Sequence, residues 1–440
     1  MSAHGLTWGA LAIAAYTQKL GRSDPASYKA NINSIPKELV HRILSFVPES
    51  FDLDPSASMT DIHRLRGVCY LWREIVLNNP FFFSKILVDF KKRPEHIQEW
   101  LSRSRQDVLT IFFSLGCDGE RVAPAYRLIL KLIDILAPCI PRCKKISFHA
   151  NSAFAAGLLF NVLMKLNAGS VPVIHVVADD DDTLHLPKMF TATTAIVRHI
   201  VAQRCALGVL PSSLTFFKLV DIAATLQLTA TQVRNALSGA LSLRELVLHR
   251  VTIQYDIVPR VLLPSLTTLD ICASTREEAL ILKVIELPEL LELELELDES
   301  VIFDVAAESL SHGSKVQMLS LAITSSTLGR MRDFFRTVPR LRCLTVSGSD
   351  EAIETTIGMV VLTSADVFPL IERMQFGDEL DDDLLPCMFS AVAARSPQVK
   401  LISPVSDVVH NHRQMQCMFL RDGKVVKERR CVVNGDFWDV

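Results

Sequence analysis

The stretch Leu290-Leu291-Glu292-Leu293-Glu294-Leu295-Glu296-Leu297 decides the fold. Leucine and glutamate alternate with period two, which is the pattern of a strand with one face in a core and the other in water. Its apolar spacing, Leu290-x-x-Leu293-x-Leu295, recurs on both sides. Upstream lie Leu214-x-x-Phe217-x-Leu219, Leu243-x-x-Leu246-x-Leu248 and Leu266-x-x-Leu269-x-Ile271. Downstream lie Val316-x-x-Leu319-x-Leu321, Leu341-x-x-Leu344-x-Val346 and Ile371-x-x-Met374-x-Phe376. Successive starts are 23 to 30 residues apart. Weaker copies stand at Cys143-x-x-Ile146-x-Phe148 and Val171-x-x-Ile174-x-Val176, and helix-like stretches such as 276–286 and 328–338 fill the gaps. One strand and one helix, each with a single apolar face, cannot bury both faces alone. Stacking such units builds one continuous core, so the pattern predicts an α/β solenoid.

Composition sets the class around this repeat. The chain has 440 residues, too many for one ordinary domain, and is 49% hydrophobic with 22% charged residues, which excludes a disordered chain. The longest apolar candidate, 6–16, is shorter than the roughly 18 residues of a membrane span and lacks a basic n-region, so it reads as a short amphipathic helix. A net charge of −3 gives no bulk attraction to nucleic acid or to anionic membranes. Ten cysteines without CxxC spacing, several in apolar segments, read as reduced thiols of an intracellular protein, cytoplasmic or nuclear.

Upstream of the repeats the periodicity changes. After a linker at Gly21-Arg22-Ser23-Asp24-Pro25, a helix start at Asn33-Ser34-Ile35-Pro36 leads into Leu39, Ile43, Leu44 and Val47 on one helical face. Pro48 opens a turn-rich segment over 48–60. A second helix is expected from Ile62 through Leu65, Val68, Cys69 and Trp72 to Val76, followed by the cluster Phe81-Phe82-Phe83. Near the end, Met418-Phe419-Leu420-Arg421, a turn at Asp422-Gly423, and Lys424-Val425-Val426 predict a hairpin that caps the repeats. The expected organisation is an N-terminal helix and linker over 1–30, a small all-α module over 31–95, the solenoid over 96–405 and a hairpin cap over 406–440.

The segment Ile35-Pro36-Lys37-Glu38-Leu39, Ile43-Leu44, Leu65-Arg66-Gly67-Val68-Cys69 and Trp72-Arg73 resembles an F-box. The run His96–Ser104 is similar to a stretch that often follows the box in fungal members, and the strand units resemble leucine-rich repeats. The position five residues after the second leucine, often Asn or Cys in that family, reads Val251, Ser274, Asp298, Thr324 and Ser349 here. Together the chain resembles an F-box protein with leucine-rich repeats. The resemblance implies a non-catalytic substrate receptor of an SCF-type cullin–RING ubiquitin ligase, the box docking on a Skp-family adaptor and the repeats capturing the protein to be ubiquitinated. The adaptor-facing residues it implies are Ile35, Pro36, Leu39, Ile43, Leu65, Val68, Cys69 and Trp72. They make an apolar surface larger than two short helices can hide from each other. A repeat scaffold that assembles no ligase, and an enzyme with an unrecognised site, stay open as alternatives.

With positions 1, 4 and 6 of each unit in the core, positions 3, 5 and 7 line the opposite, concave face. They read Glu245, Val247, His249; Thr268, Asp270, Cys272; Glu292, Glu294, Glu296; Met318, Ser320, Ala322; and Cys343, Thr345, Ser347. Glu245, Asp270, Glu292, Glu294 and Glu296 give five acids with no Lys or Arg in these rows, a surface suited to a basic segment of a protein substrate. Other candidates are weaker. Asp179–Asp182 and Asp381–Asp383 are contiguous acid runs rather than metal cages. Cys139, Cys143 and His149 lack a fourth zinc ligand at a recognised spacing. Lys91-Lys92-Arg93, Lys144-Lys145 and Lys427–Arg430 lack interleaved aromatics for nucleic acid. No GxSxG, HExxH or GxxxxGK[ST] motif occurs, and no cofactor is expected.

Overall fold

The structure is a computed structural model. It describes residues 36–45, 55–89, 93–115, 122–150, 170–178, 184–186, 197–222, 228–297, 301–310, 314–323, 333–348, 370–376, 400–402, 418–421, 424–428, 432–433 and 436–437. The chain divides into two compact units, Met1–Asp179 and Asp180–Val440. The acid runs at 179–182 and 381–383 and the amphipathic segment at 6–16 lie outside the described residues.

In the first unit three helices, α1 (Lys37–Ser45), α2 (Pro55–Val68) and α3 (Tyr70–Asn78), precede a 3-10 turn over Pro80–Phe83 and strand β1 (Lys85–Asp89). Helix α4 (Pro94–Arg103), β2 (Leu109–Leu115), α5 (Val122–Leu136), β3 (Cys143–Ala150) and β4 (Val173–Ala178) follow. The strands pair in parallel, each with the next in sequence. Two expectations change here. The predicted continuous helix over 62–76 is broken at Cys69, whose backbone is extended at φ −159, ψ 172, and the 48–60 segment turns helical at Pro55. Proline suits a first helical turn, while Gly67 weakens a helix interior and the Arg73 side chain takes over the carbonyl of Arg66 at 3.0 Å. The ladder also begins inside the 31–95 segment: Phe82 and Phe83 are buried, with Phe83 edge-on to Trp100 at 4.9 Å, and β1 follows directly. Trp100 ties α4 to that strand, its indole N–H donating to Lys85 O at 3.1 Å.

The second unit repeats one motif. Strands β5 (His199–Gln203), β6 (Phe216–Ile222), β7 (Glu245–Val251), β8 (Thr268–Ala273), β9 (Glu292–Leu297), β10 (Met318–Ile323), β11 (Cys343–Gly348), β12 (Arg373–Phe376) and β13 (Lys400–Ile402) pair in parallel in chain order. Every strand joins its sequence neighbour, so the sheet grows in one direction, as in a solenoid, rather than doubling back as in a doubly wound fold. The expected α/β class and repeat-like parallel sheet are present.

Between strands sit α6 (Ala230–Leu237), α7 (Arg276–Ala279) and α8 (Val301–Leu310). Two of them start on capping boxes, Thr229 with Gln232 and Thr275 with Glu278, in which hydroxyl and carboxylate or amide each satisfy a backbone N–H of the first turn. Glu278 is buried for this reason, its Oε2 accepting Ser274 N at 2.6 Å. Gly239 closes the turn after α6, where an added Cβ would lie 2.7 Å from Leu210 O. The core is the predicted one: Leu246, Leu269, Leu293, Leu319 and Leu344, stacked strand on strand, are at most 2% exposed. The Met418–Arg421 strand pairs antiparallel with Lys424–Glu428, the predicted hairpin.

One feature was not anticipated. Arg204, Asp221 and Arg250 all adopt left-handed backbone (φ 54, 57 and 54), at corresponding points near the ends of β5, β6 and β7. Such a conformation costs an L-residue about 1–3 kcal/mol. Here Asp221 is held from both sides, by Gln203 Nε2 at 3.0 Å and by the Arg250 guanidinium at 2.6 Å.

Candidate functional site

The open face of the second unit is built by strand alternation. In β8 the side chains alternate half-buried and buried from Thr268 to Ala273, so Leu269, Ile271 and Ala273 enter the core while Thr268, Asp270 and Cys272 face out. Register carries this across the sheet. Glu245, Thr268, Glu292, Met318 and Cys343 form one row; Val247, Asp270, Glu294, Ser320 and Thr345 a second; His249, Cys272, Glu296, Ala322 and Ser347 a third. Neighbours in a row are about 4.8 Å apart. The five predicted acids therefore share one face, with Asp270 directly beside Glu294. Continuing the rows, Lys218 lies beside Val247 and Arg373 beside Cys343, so cations flank the acids without entering them.

The acids are partly spoken for by their own neighbours. His249 Nε2 and Asp270 Oδ2 are 2.8 Å apart, and the Thr268 hydroxyl donates to Glu292 Oε2 at 3.4 Å. Glu294 is held above the ordinary carboxylate range, chiefly by burial, then by the negative charge of Asp270, with Glu296 adding and His249 opposing. Cys272, His249 and Asp270 are residue types that can make a thiol nucleophile, but their state opposes that use. Burial first, then the hydrogen bond to Glu296 and that carboxylate's charge, push the Cys272 thiol up to about 12, so it stays protonated near neutrality.

A pH prediction follows for Glu294. A carboxyl whose folded pKa is raised above its unfolded value destabilises the fold where it is ionised, and the penalty disappears as pH falls through the folded pKa. Glu294→Gln is thus expected to melt higher than wild type at pH 7, with the gap closing on acidification. Thermal melts across that range check it; a lower melting temperature for the variant at pH 7 would contradict the assigned cause.

The helical segment sorts its apolar residues into two sets. Val40, Ile62, Ile75 and Val76 are buried at 4% exposure or less. Pro36 is exposed, as are Leu39 and Val68, while Leu65, Cys69 and Trp72 are half-buried. Six of the eight predicted adaptor-facing residues therefore keep exposed surface. Ile35 lies outside the described residues, and Ile43 enters only through its helical backbone. Tyr70, 75% exposed, was missed, because a continuous helix through Cys69 gave it no special place. The Trp72 indole Nε1 is buried with no hydrogen-bond partner.

The imagined zinc set does not assemble. Cys143 is buried, its thiol pushed up to about 12, chiefly by burial and then by Cys139, and it donates to the Cys139 carbonyl at 3.4 Å. Among the described residues no group of three or more His, Cys, Asp or Glu could hold a metal ion. None of the described helices is long and apolar enough to cross a membrane.

No protein-family model matches the chain. No curated protein matches it either. Among solved structures, a Bacteroides fragilis protein determined as a structural genomics target is similar at 14% identity over 67% of this chain and 74% of that one, with a TM-score of 0.35. That likeness is too distant to bear on fold or function, so the reading of this chain stands on its own residues.

Proposed function

We propose that the chain is a non-catalytic substrate receptor of an SCF-type cullin–RING ubiquitin ligase. In this reading α1–α3 are an F-box that docks on a Skp-family adaptor, and the parallel sheet is a leucine-rich-repeat surface that captures a protein substrate through a basic segment. The compartment is the cytoplasm or nucleus. The observation that carries the reading is the split in the helical segment: Val40, Ile62, Ile75 and Val76 turn inward, while Pro36, Leu39, Val68 and Tyr70 stay exposed. Exposed apolar side chains at motif positions are what a docking module presents before its partner arrives. The open face supplies the second half, five carboxylates on β7, β8 and β9 with Lys218 and Arg373 held to the flanking strands β6 and β12, which would steer a cationic segment toward them.

The experiment compares two variants in the native host. Proteins recovered with the wild-type chain are expected to bind about tenfold more weakly when Glu292, Glu294 and Glu296 are replaced together by serine, three surface ion pairs being worth roughly that much. The same proteins are expected to accumulate when Pro36 and Trp72 are both replaced by alanine. Recovery without accumulation would favour a repeat scaffold that assembles no ligase. Recovery unchanged in the serine variant would remove the acidic face from the account.

A further inference from the structure

The three rows of the open face do not carry the same chemistry. Across the sheet the first reads His199, Phe216, Glu245, Thr268, Glu292, Met318 and Cys343. At one end the exposed His199 stacks on Phe216, with ring centroids 5.3 Å apart and planes 21° from parallel. The second face of the Phe216 ring is left toward β7, where Glu245 is its partner in register. At the other end Met318 is 48% exposed, and Leu291, whose carbonyl accepts Met318 N at 3.0 Å, is 37% exposed.

Between these apolar ends stand two lightly committed carboxylates. Glu245 makes no side-chain hydrogen bond or ion pair among the described residues, and Glu292 accepts only the long bond from Thr268. In the other rows Asp270 is held by His249, Cys272 hydrogen-bonds Glu296, and Glu294 gives up its proton reluctantly through burial and the neighbouring Asp270. The first row therefore offers the two carboxylates readiest to meet an incoming cation.

Spacing selects the form of the partner. Adjacent strands are about 4.8 Å apart, so Glu245 lies one step from Phe216, Glu292 one step from Met318, and the row from Phe216 to Met318 spans about 19 Å. Three residues of an α-helix rise about 4.5 Å, and thirteen to fourteen rise about 20 Å. Side chains at i, i+3, i+10 and i+14 share one helical face and meet these four positions in turn. An extended strand returns to the same face only every 6.6 Å or so and falls out of step with the rows.

We propose that the first row of the open face binds one amphipathic helix of a partner protein, apolar at both ends of its contact stripe and basic between them. The inference rests on reading the open face as the capture surface, and it adds the secondary structure and residue order of what is captured. The apolar side chain at i lies on Phe216 and that at i+14 on Met318 and Leu291. Cationic side chains at i+3 and i+10 meet Glu245 and Glu292. The apolar ends supply most of the affinity, because exposed ion pairs are worth little, while the charges set the orientation of the stripe.

The test is fluorescence anisotropy of the purified full-length chain with three synthetic fifteen-residue peptides in an alanine and glutamine background. The first carries leucine at its first and fifteenth positions and arginine at its fourth and eleventh. The second has serine in place of both leucines. The third keeps the first one's composition but moves the arginines to the sixth and ninth positions, off the stripe. The first is expected to bind about tenfold more tightly than the second and about two- to fivefold more tightly than the third. Met318→Ser is expected to weaken the first peptide about threefold and to leave the second unchanged. Glu245→Gln is expected to weaken both about two- to fivefold at low salt, the range of an exposed ion pair. Circular dichroism of each variant separates a lost contact from a lost fold, and the comparison of the peptides on the wild-type chain needs no variant at all. Equal binding of all three peptides that is lost when Glu292, Glu294 and Glu296 are replaced by serine would overturn the helix while leaving the acidic capture surface in place. Binding by none of them, or binding indifferent to the acids, would overturn both.

Discussion

Leu295→Ala is expected to cost about 2–5 kcal/mol, while Glu294→Ala, one residue away, is expected to cost nothing or to stabilise. Leu295 is fully buried in the middle strand of the repeat core, between Ile271 and Leu321 in register. Removing three carbons there loses transfer free energy and leaves a cavity that rigid neighbouring strands cannot close. Glu294 points the other way, beside Asp270, and its ionised form is disfavoured by burial and by that neighbour. The contrast tests the face assignment itself, since a one-residue slip would exchange the two outcomes. Denaturant unfolding measures it. Because repeats lean only on their neighbours, native-state hydrogen exchange should show the loss centred on β8, β9 and β10 and fading toward the ends. Equal costs for the two substitutions would mean that β9 does not lie as described.

That assignment was legible because the chain repeats itself. Period-two alternation in 290–297 fixed which side chains face out, and the spacing of the seven clear copies fixed the register that places Asp270 beside Glu294. Two strands, one in each unit, escaped notice although their spacing is present. Phe83-x-x-Ile86-x-Val88 runs into β1 and Val197-x-x-Ile200-x-Ala202 runs into β5, all six positions at most 1% exposed. The first was hidden in a phenylalanine run and the second ends in alanine, too small to register as a repeat position. Strand β2 carries the spacing too, as Val108-x-x-Ile111-x-Phe113, but Val108 is 55% exposed and the buried Leu109 takes the place opposite Cys143, where the pairing shifts. The break at Cys69 was out of reach. Helical periodicity runs through it, and only the tertiary contact from Arg73 to the Arg66 carbonyl records the turn. Rows likewise give positions and not rotamers, so the His249–Asp270 pair, diagonal between two rows, emerged only with side chains in place.

The second large effect concerns the helices. Pro36→Ala combined with Trp72→Ala is expected to abolish adaptor binding, a loss of about a hundredfold or more if Trp72 anchors the contact as buried tryptophans at interfaces do. Pro36 sits where α1 begins, its carbonyl accepting Leu39 N and Val40 N, both at 3.0 Å, so its ring presents directly at the helix entrance. Trp72 is half-buried with its N–H unpaired, a side chain that belongs partly to the fold and partly to whatever covers it. Trp72→Phe keeps an aromatic ring but removes the indole N–H together with two ring carbons. It is expected to fold like wild type and to bind several-fold more weakly, about 1–3 kcal/mol being at stake if the partner supplies the missing acceptor. Helical content and unfolding midpoint are to be compared for all three chains, so that a melted module is not read as a lost contact.

Direct binding of the full-length chain to a purified Skp-family adaptor tests the central claim most immediately. A stable one-to-one complex with the wild type, lost in the folded Pro36→Ala/Trp72→Ala variant, is the predicted result. A folded wild-type chain that leaves the adaptor unbound would contradict the receptor reading and leave a repeat protein whose helices serve another purpose.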